Sequence, residues 1–234
     1  MPNSRELKAL VLPLLKRRPD LAFHKRTIFF APLTHYLRGV IFFQGWSSGD
    51  FTAEVFVTPL FDGAHDLNAG GTMEREKRRF SETWREDPAN ASVELCDYLE
   101  RQALPIVEPM VAPAEHEKLP QYIAGYSRGT PPLQSSLIRF IMASGACCNG
   151  EFDKAQGLLV GVAETRRRPV GPVTEDFRNH QDFFFRAAYL AQLLHTDRSR
   201  VLPLLHEWKA AKVRHLGLGK FWTPTPFPCE RATG

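Results

Sequence analysis

Leu7, Leu10, Val11, Leu14 and Leu15 recur at helical spacing, which predicts an amphipathic N-terminal helix. Ser4 stands where an N-cap belongs, and Pro13 predicts a kink or an early end. The pattern then changes period. Thr27-Ile28-Phe29-Phe30 reads as a strand ending at Pro32, and Tyr36 to Trp46 carries Leu37, Val40, Ile41, Phe42 and Phe43. After the turn signal Ser47-Ser48-Gly49-Asp50, Phe51, Ala53, Val55 and Val57 alternate with Thr52, Glu54, Phe56 and Thr58. This is the clearest period-two signal in the chain. The connection before it is too short for a crossover helix, so these two strands should pair antiparallel. Phe56 on the otherwise polar side predicts that the second face is partly covered as well.

Asp62 to Gly71 reads as a loop, and the charged stretch Met73 to Trp84 predicts a helix. Ser92 is placed to cap a helix running through Leu104, with Leu95, Leu99 and Ala103 along one side. Pro105, Pro109, Pro113 and Pro120 then mark a linker. Beyond it every periodic segment is helical. Pro131-Pro132 open a helix carrying Leu133, Leu137, Ile138, Ile141 and Met142, and Asn149-Gly150 ends it. Phe152, Ala155, Leu158, Leu159 and Val162 mark the next helix. Thr174 caps another, buried through Phe177, Phe184, Ala187, Ala188, Ala191 and Leu194. Within Phe183-Phe184-Phe185, Phe184 should fill the helical core while Phe183 or Phe185 reaches the sheet. A last helix begins at Val201, Leu204, Leu205 and Trp208, and Gly217 closes it.

The expected class is therefore α+β: an antiparallel sheet with flanking helices over residues 1–104, a Pro-rich linker over 105–132, a helical hairpin unit over 133–217 and an irregular tail over 218–234. The 43% hydrophobic content of the 234 residues suffices for a packed core. No apolar run approaches the roughly 18 residues that span a bilayer, so no membrane partner is expected.

Charge narrows the function classes. A net charge of +4 over 234 residues is a weak field. The densest run, Glu74 to Asp87, balances Arg75, Lys77, Arg78, Arg79 and Arg85 against Glu74, Glu76, Glu82, Glu86 and Asp87. A solvated face accounts for it better than a phosphate track. Lys16-Arg17-Arg18 and Arg166-Arg167-Arg168 lie at predicted helix ends, where cations complement the macrodipole. Nucleic-acid binding through these two clusters is retained only as an alternative.

Cys96, Cys147, Cys148 and Cys229 show no CxxC spacing, and adjacent helical cysteines point about 100° apart, so buried thiols rather than a metal site are expected. The histidines lack H-E-x-x-H or His-x-His spacing, and Gly70-Gly71 lacks a phosphate-loop context, so neither metal nor cofactor is expected. Met1 to Glu6 has no apolar signal core, which together with the cysteines predicts a cytoplasmic setting.

One catalytic motif is present. Gly125-Tyr126-Ser127-Arg128-Gly129 matches G-x-S-x-G, the nucleophile elbow of serine hydrolases, with His195, His206 and His215 downstream. Its context is poor: Thr130-Pro131-Pro132 stand where the elbow's helix should begin, and the upstream strands are not βα units. A serine hydrolase acting through Ser127 is the alternative to a turn-forming loop. Phe221, Trp222 and Phe227 in the Pro-rich tail are candidate partner-binding aromatics, the alternative being a tail that folds back over a seam; Arg166, Arg167 and Arg168 are candidates with them.

Gly150-x-Phe152-x-x-Ala155, with Ala143 before and Leu159 after, resembles the turn and second helix of a tetratricopeptide repeat. That resemblance covers one hairpin, Leu133 to Val162, and implies close helix crossing at small residues and a role in protein docking. Leu14-Leu15-Lys16, Phe23-His24-Lys25-Arg26 with Phe29-Phe30, and Val40 to Phe43 followed by Phe51 to Val57 resemble the start of a family of uncharacterised bacterial domains. Ala22 departs from the glycine of that pattern, and the family brings no catalytic residues. The expected function is thus a non-enzymatic protein-interaction protein of bacterial type, in an adaptor, accessory or immunity-like role.

Overall fold

The computed structural model describes residues 2–44, 50–62, 72–80, 82–109, 132–166 and 175–231; the side chains of 72–78, 82–83, 132–135, 163–166 and 175–183 are outside that description. The chain divides into two compact units. The first comprises Met1–Thr58, Gly70–Val111 and Leu218–Thr223; the second comprises Pro59–Ala69, Ala112–Gly217 and Pro224–Gly234.

The first unit opens with α1 (Ser4–Arg17). Its cap is Asn3 rather than Ser4: the Asn3 side chain accepts from the Arg5 and Glu6 N–H groups at 2.9 and 3.0 Å, and Glu6 Oε2 accepts from the Asn3 N–H at 2.7 Å. This reciprocal box satisfies three otherwise orphaned donors. Ser4 Oγ donates instead to the Lys25 carbonyl. Leu7, Leu10, Val11 and Leu14 are buried as the periodicity requires, and the helix continues through Pro13.

Five strands follow: β1 (Leu21–His24), β2 (Thr27–Phe30), β3 (Tyr36–Gln44), β4 (Phe51–Pro59) and β5 (Thr72–Phe80). They form one antiparallel sheet in sequential order. Lys25 adopts φ 55 in the β1–β2 turn. Phe29 of β2 pairs with Gly39 of β3. There the β2 backbone comes so close that any Cβ on Gly39 would overlap the Ile28 carbonyl oxygen. All nine residues of β4 are buried, so both faces are covered at this strand.

The charged stretch expected as a helix over Met73–Trp84 is instead β5 as far as Phe80, with a single 3-10 turn over Glu82–Arg85. It pairs with β4 from Phe51↔Phe80 onward, with a register shift between Glu54 and Val55. Cross-strand contacts explain the change: the Phe51 and Phe80 rings stack at 4.9 Å, and Arg79 Nε donates to the buried Asp50 carboxylate at 2.6 Å. Tertiary pairing overrides the helix-favouring Glu, Lys and Arg content.

α2 (Pro88–Tyr98) begins four residues earlier than the expected Ser92 cap; Asp87 accepts from the Asn90 N–H at 3.0 Å and Pro88 fills the first turn. Ser92 faces α1 instead, donating to the Leu10 carbonyl at 2.6 Å. The helix loosens into a π turn over Leu99–Ala103 and resumes as α3 (Leu104–Val107). Pro105 lacks the N–H that Arg101 would otherwise receive, and a wider turn just before a proline relieves its ring clash.

The second unit contains α4 (Pro132–Cys148), α5 (Phe152–Arg166), α6 (Glu175–Thr196), α7 (Val201–Leu216) and a terminal turn of helix, α8 (Pro228–Arg231). Gly150 takes φ 80 between α4 and α5, as the Asn149-Gly150 break requires. Phe140, Cys147, Ala155, Leu159, Leu190 and Leu205 are buried within this bundle. Of the Phe183-Phe184-Phe185 run, Phe185 is 59% exposed, the Phe183 side chain lies outside the described residues, and Phe184, expected in the helical core, is only half-buried; Ala188, expected on the buried side, is exposed. No described helix is long and apolar enough to cross a membrane.

Candidate functional site

α7 shows where chemistry concentrates. Its buried positions follow the helical repeat from Val201, Leu204 and Leu205, and the same repeat continues onto Lys209 and Lys212. Both lysines are 0% exposed. Fully buried lysines are rare, because removing an ammonium from water costs several kcal/mol unless the fold supplies partners.

The two are satisfied differently. Lys212 Nζ donates to the Pro59 carbonyl at 2.9 Å and to Asp62 Oδ1 at 2.8 Å, and Asp62 is itself 1% exposed. This is a buried ion pair within the second unit, between Asp62, three residues beyond the end of β4, and α7. Lys209 Nζ donates to the Thr225 carbonyl at 2.9 Å and lies 4.4 Å from the centroid of the Phe227 ring. Burial pulls the Lys209 ammonium down to about 8, against weaker opposing pulls from Cys148 and Glu230.

Phe227 sits at the centre of this arrangement, fully buried. The His206 ring lies over it at 4.3 Å with a 31° tilt, and Phe61 meets it edge-on at 5.7 Å and 88°. Glu230 Oε2 accepts from the Phe227 N–H at 2.6 Å and lies 2.9 Å from His206 Nε2. Partial burial pushes the Glu230 carboxyl upward, but the His206 and Phe227 hydrogen bonds prevail and hold it below the ordinary carboxylate range.

Three thiols border the same region. Cys229 Sγ lies 3.9 Å from the Cys147 carbonyl, and Cys147 and Cys148 are buried on α4. Burial pushes Cys147 up to about 12 and Cys148 well above the ordinary thiol range, so both stay protonated at neutral pH. Among the described residues no group of three or more His, Cys, Asp or Glu side chains is arranged to hold a metal ion.

The residues singled out from sequence are distributed elsewhere. Ser127, Arg167 and Arg168 lie outside the described residues, and Arg166 ends α5 with its side chain outside them. In the N-terminal basic cluster, Arg17 makes a bidentate contact with Glu100 at 3.1 and 2.8 Å. Arg18 holds Asp20 and, at 2.8 Å, Glu108. Two of these three cations therefore already face carboxylates.

Phe221 and Trp222 fasten the tail to the first unit. The Leu33 N–H donates to the Phe221 carbonyl at 2.7 Å and the Thr223 N–H to the Leu33 carbonyl at 3.1 Å, a single parallel bridge. The Phe221 ring meets Phe29 edge-on at 5.1 Å, and both tail aromatics are half-buried. Phe227, a candidate exposed anchor by sequence, is fully buried, and the two lysines of its helix neighbour are what pattern reading missed. Their signal is present in the sequence: Lys209 is four residues after Leu205 and four before Val213, on the apolar stripe of a helix.

No protein-family model matches the chain, and no curated protein or solved structure is significantly similar to it.

Proposed function

We propose that the chain is a non-enzymatic protein-interaction protein, in an adaptor, accessory or immunity-like role. One observation carries the reading. On α6, Ala187, Leu190, Leu193 and Leu194 are buried, whereas Phe185 and Tyr189, one turn apart, are 59% and 41% exposed. Two aromatics spaced four residues apart share one helix face, and large rings of this kind are favoured anchors in protein interfaces. The ionisable groups buried near α7 are engaged in internal contacts, which fits a binding role better than a reactive one.

The test is photo-crosslinking in living cells of the native host, with a photoreactive phenylalanine placed at position 185, 189 or 93. Val93, 64% exposed on α2, is the control. The reading expects the same discrete adduct from 185 and 189 and none from 93. Identical adducts from all three positions, or none from any, would refute it.

A further inference from the structure

The last described residues behave as a ligand. Along 224–231 only Phe227 is buried; Pro224, Pro226 and Arg231 are exposed, and Thr225, Pro228, Cys229 and Glu230 are half-buried. Pro224 and Pro226 remove N–H donors and favour an extended backbone up to Phe227, and Pro228 opens the helical turn that carries Glu230; each restricts the free segment and lowers the entropy lost on docking. Recognition is concentrated in three features: a carbonyl two residues before the ring, the ring itself, and a carboxylate three residues after it. Lys209 takes the carbonyl, Phe61, His206 and Lys209 surround the ring, and His206 takes the carboxylate. His206 and Lys209 are one turn apart on α7. One anchor ring with two flanking polar contacts is how linear motifs bind folded proteins.

We propose that this socket is a peptide-binding site which the chain's own residues 224–231 fill in cis, and that it takes from a partner protein a Pro-rich segment that is extended up to a phenylalanine and then makes a helical turn carrying a carboxylate three residues on. Polar complementarity selects that occupant: Lys209 Nζ donates to a carbonyl, and His206 Nε2 faces a carboxylate. The covering segment also dehydrates Lys209 completely, which opposes its own docking and favours exchange. This site is separate from the α6 aromatics, so crosslinking from position 185 and peptide binding here succeed or fail independently.

The experiment uses the full chain and a fluorescent peptide spanning 222–231 with Cys229→Ser. Phe227→Ala should empty the socket and bind the peptide saturably. The wild type should bind about 10-fold or more weakly, because a tethered segment competes at roughly millimolar effective concentration. Peptides carrying Phe227→Ala or Glu230→Gln should lose about 10-fold in affinity, and so should the Phe227→Ala chain when His206→Ala is added, which removes the ring over Phe227 and the partner of Glu230.

A folded Phe227→Ala chain that binds nothing at millimolar peptide, or binds regardless of ring and carboxylate, overturns the proposal. Should Phe227→Ala fail to fold, the wild type supplies the test: excess peptide should expose the tail and raise the rate at which Cys229 reacts with a thiol reagent, and an unchanged rate overturns it. Concentration-dependent dimers of the wild type that ignore the free peptide would assign the socket to a second copy of the chain and overturn the partner reading.

Discussion

Lys209 makes the sharpest demand on solution behaviour. Burial moves its ammonium from the ordinary 10.5 to about 8 in the folded chain. Below pH 8 the lysine is protonated in both folded and unfolded states, and the folded state bears the cost of an under-solvated charge. Between about 8 and 10.5 the unfolded chain keeps a proton that the folded chain has released, so stability rises with pH. Above 10.5 the effect is complete.

At 1.36 kcal/mol per pKa unit the full rise is at most about 3 kcal/mol. The thiols oppose it. Cys147 and Cys148 hold their protons in the fold beyond the point where they ionise in the unfolded chain, so from about pH 9 they lower stability. Lys209→Met separates the two effects, because both chains share the thiols. Methionine keeps the volume and removes the charge.

At pH 7 relief of the buried charge, at most about 3 kcal/mol, is offset by loss of the charged hydrogen bond to the Thr225 carbonyl, roughly 1–3 kcal/mol. Loss of the contact with the Phe227 ring removes a further 0.5–2 kcal/mol, roughly. The variant should therefore sit within about 2 kcal/mol of wild type at pH 7, from the difference between those terms. Urea denaturation followed by far-UV circular dichroism, under reducing conditions from pH 7 to 10.5, measures both chains. The wild type should gain on the variant by a few kcal/mol across that range, on the order of the linkage value above. A difference that stays flat with pH would refute the assignment of a depressed lysine.

Other substitutions probe separate parts of the same fold. Asp62→Asn leaves the Lys212 ammonium buried without its counter-charge and should cost roughly 3 kcal/mol, with much of the loss restored when Lys212→Met is added; denaturant midpoints of both chains decide it. Gly39→Ala drives a methyl group into the Ile28 carbonyl and should cost about 3 kcal/mol or prevent folding, read from thermal melts. In native buffer a thiol reagent should modify half-exposed Cys229 first and reach Cys147 and Cys148 only after denaturant is added, which peptide mass mapping resolves.

What could be read from the sequence follows from which forces are local. The alternation from Phe51 to Val57 is a property of one strand, and it appears in the structure as β4 with its second face covered, as Phe56 implied. β5 went the other way. Glu74 to Arg79 carries helix-forming residues, and only the pairing with β4, through Phe51–Phe80 and Asp50–Arg79, makes it a strand. A cap is local too, yet Asn3 and Ser4 are both good capping residues, and Glu6 three positions after Asn3 is what selects between them.

The socket on α7 was hidden for a different reason. Lysine at a buried helical position looks like an exposed residue until its partners are known, and those partners are remote: Pro59 and Asp62 for Lys212, Thr225 and Phe227 for Lys209. The tail looked irregular because its prolines lack N–H donors and limit it to short turns such as α8, so part of its order comes from contacts with α7. An apolar stripe interrupted by two lysines and a proline-spaced segment with one phenylalanine are each weak signals alone. Together they are complementary, since a buried ammonium needs a carbonyl or a ring, and the proline-rich stretch before Phe227, with its carbonyls not tied up in regular structure, offers both.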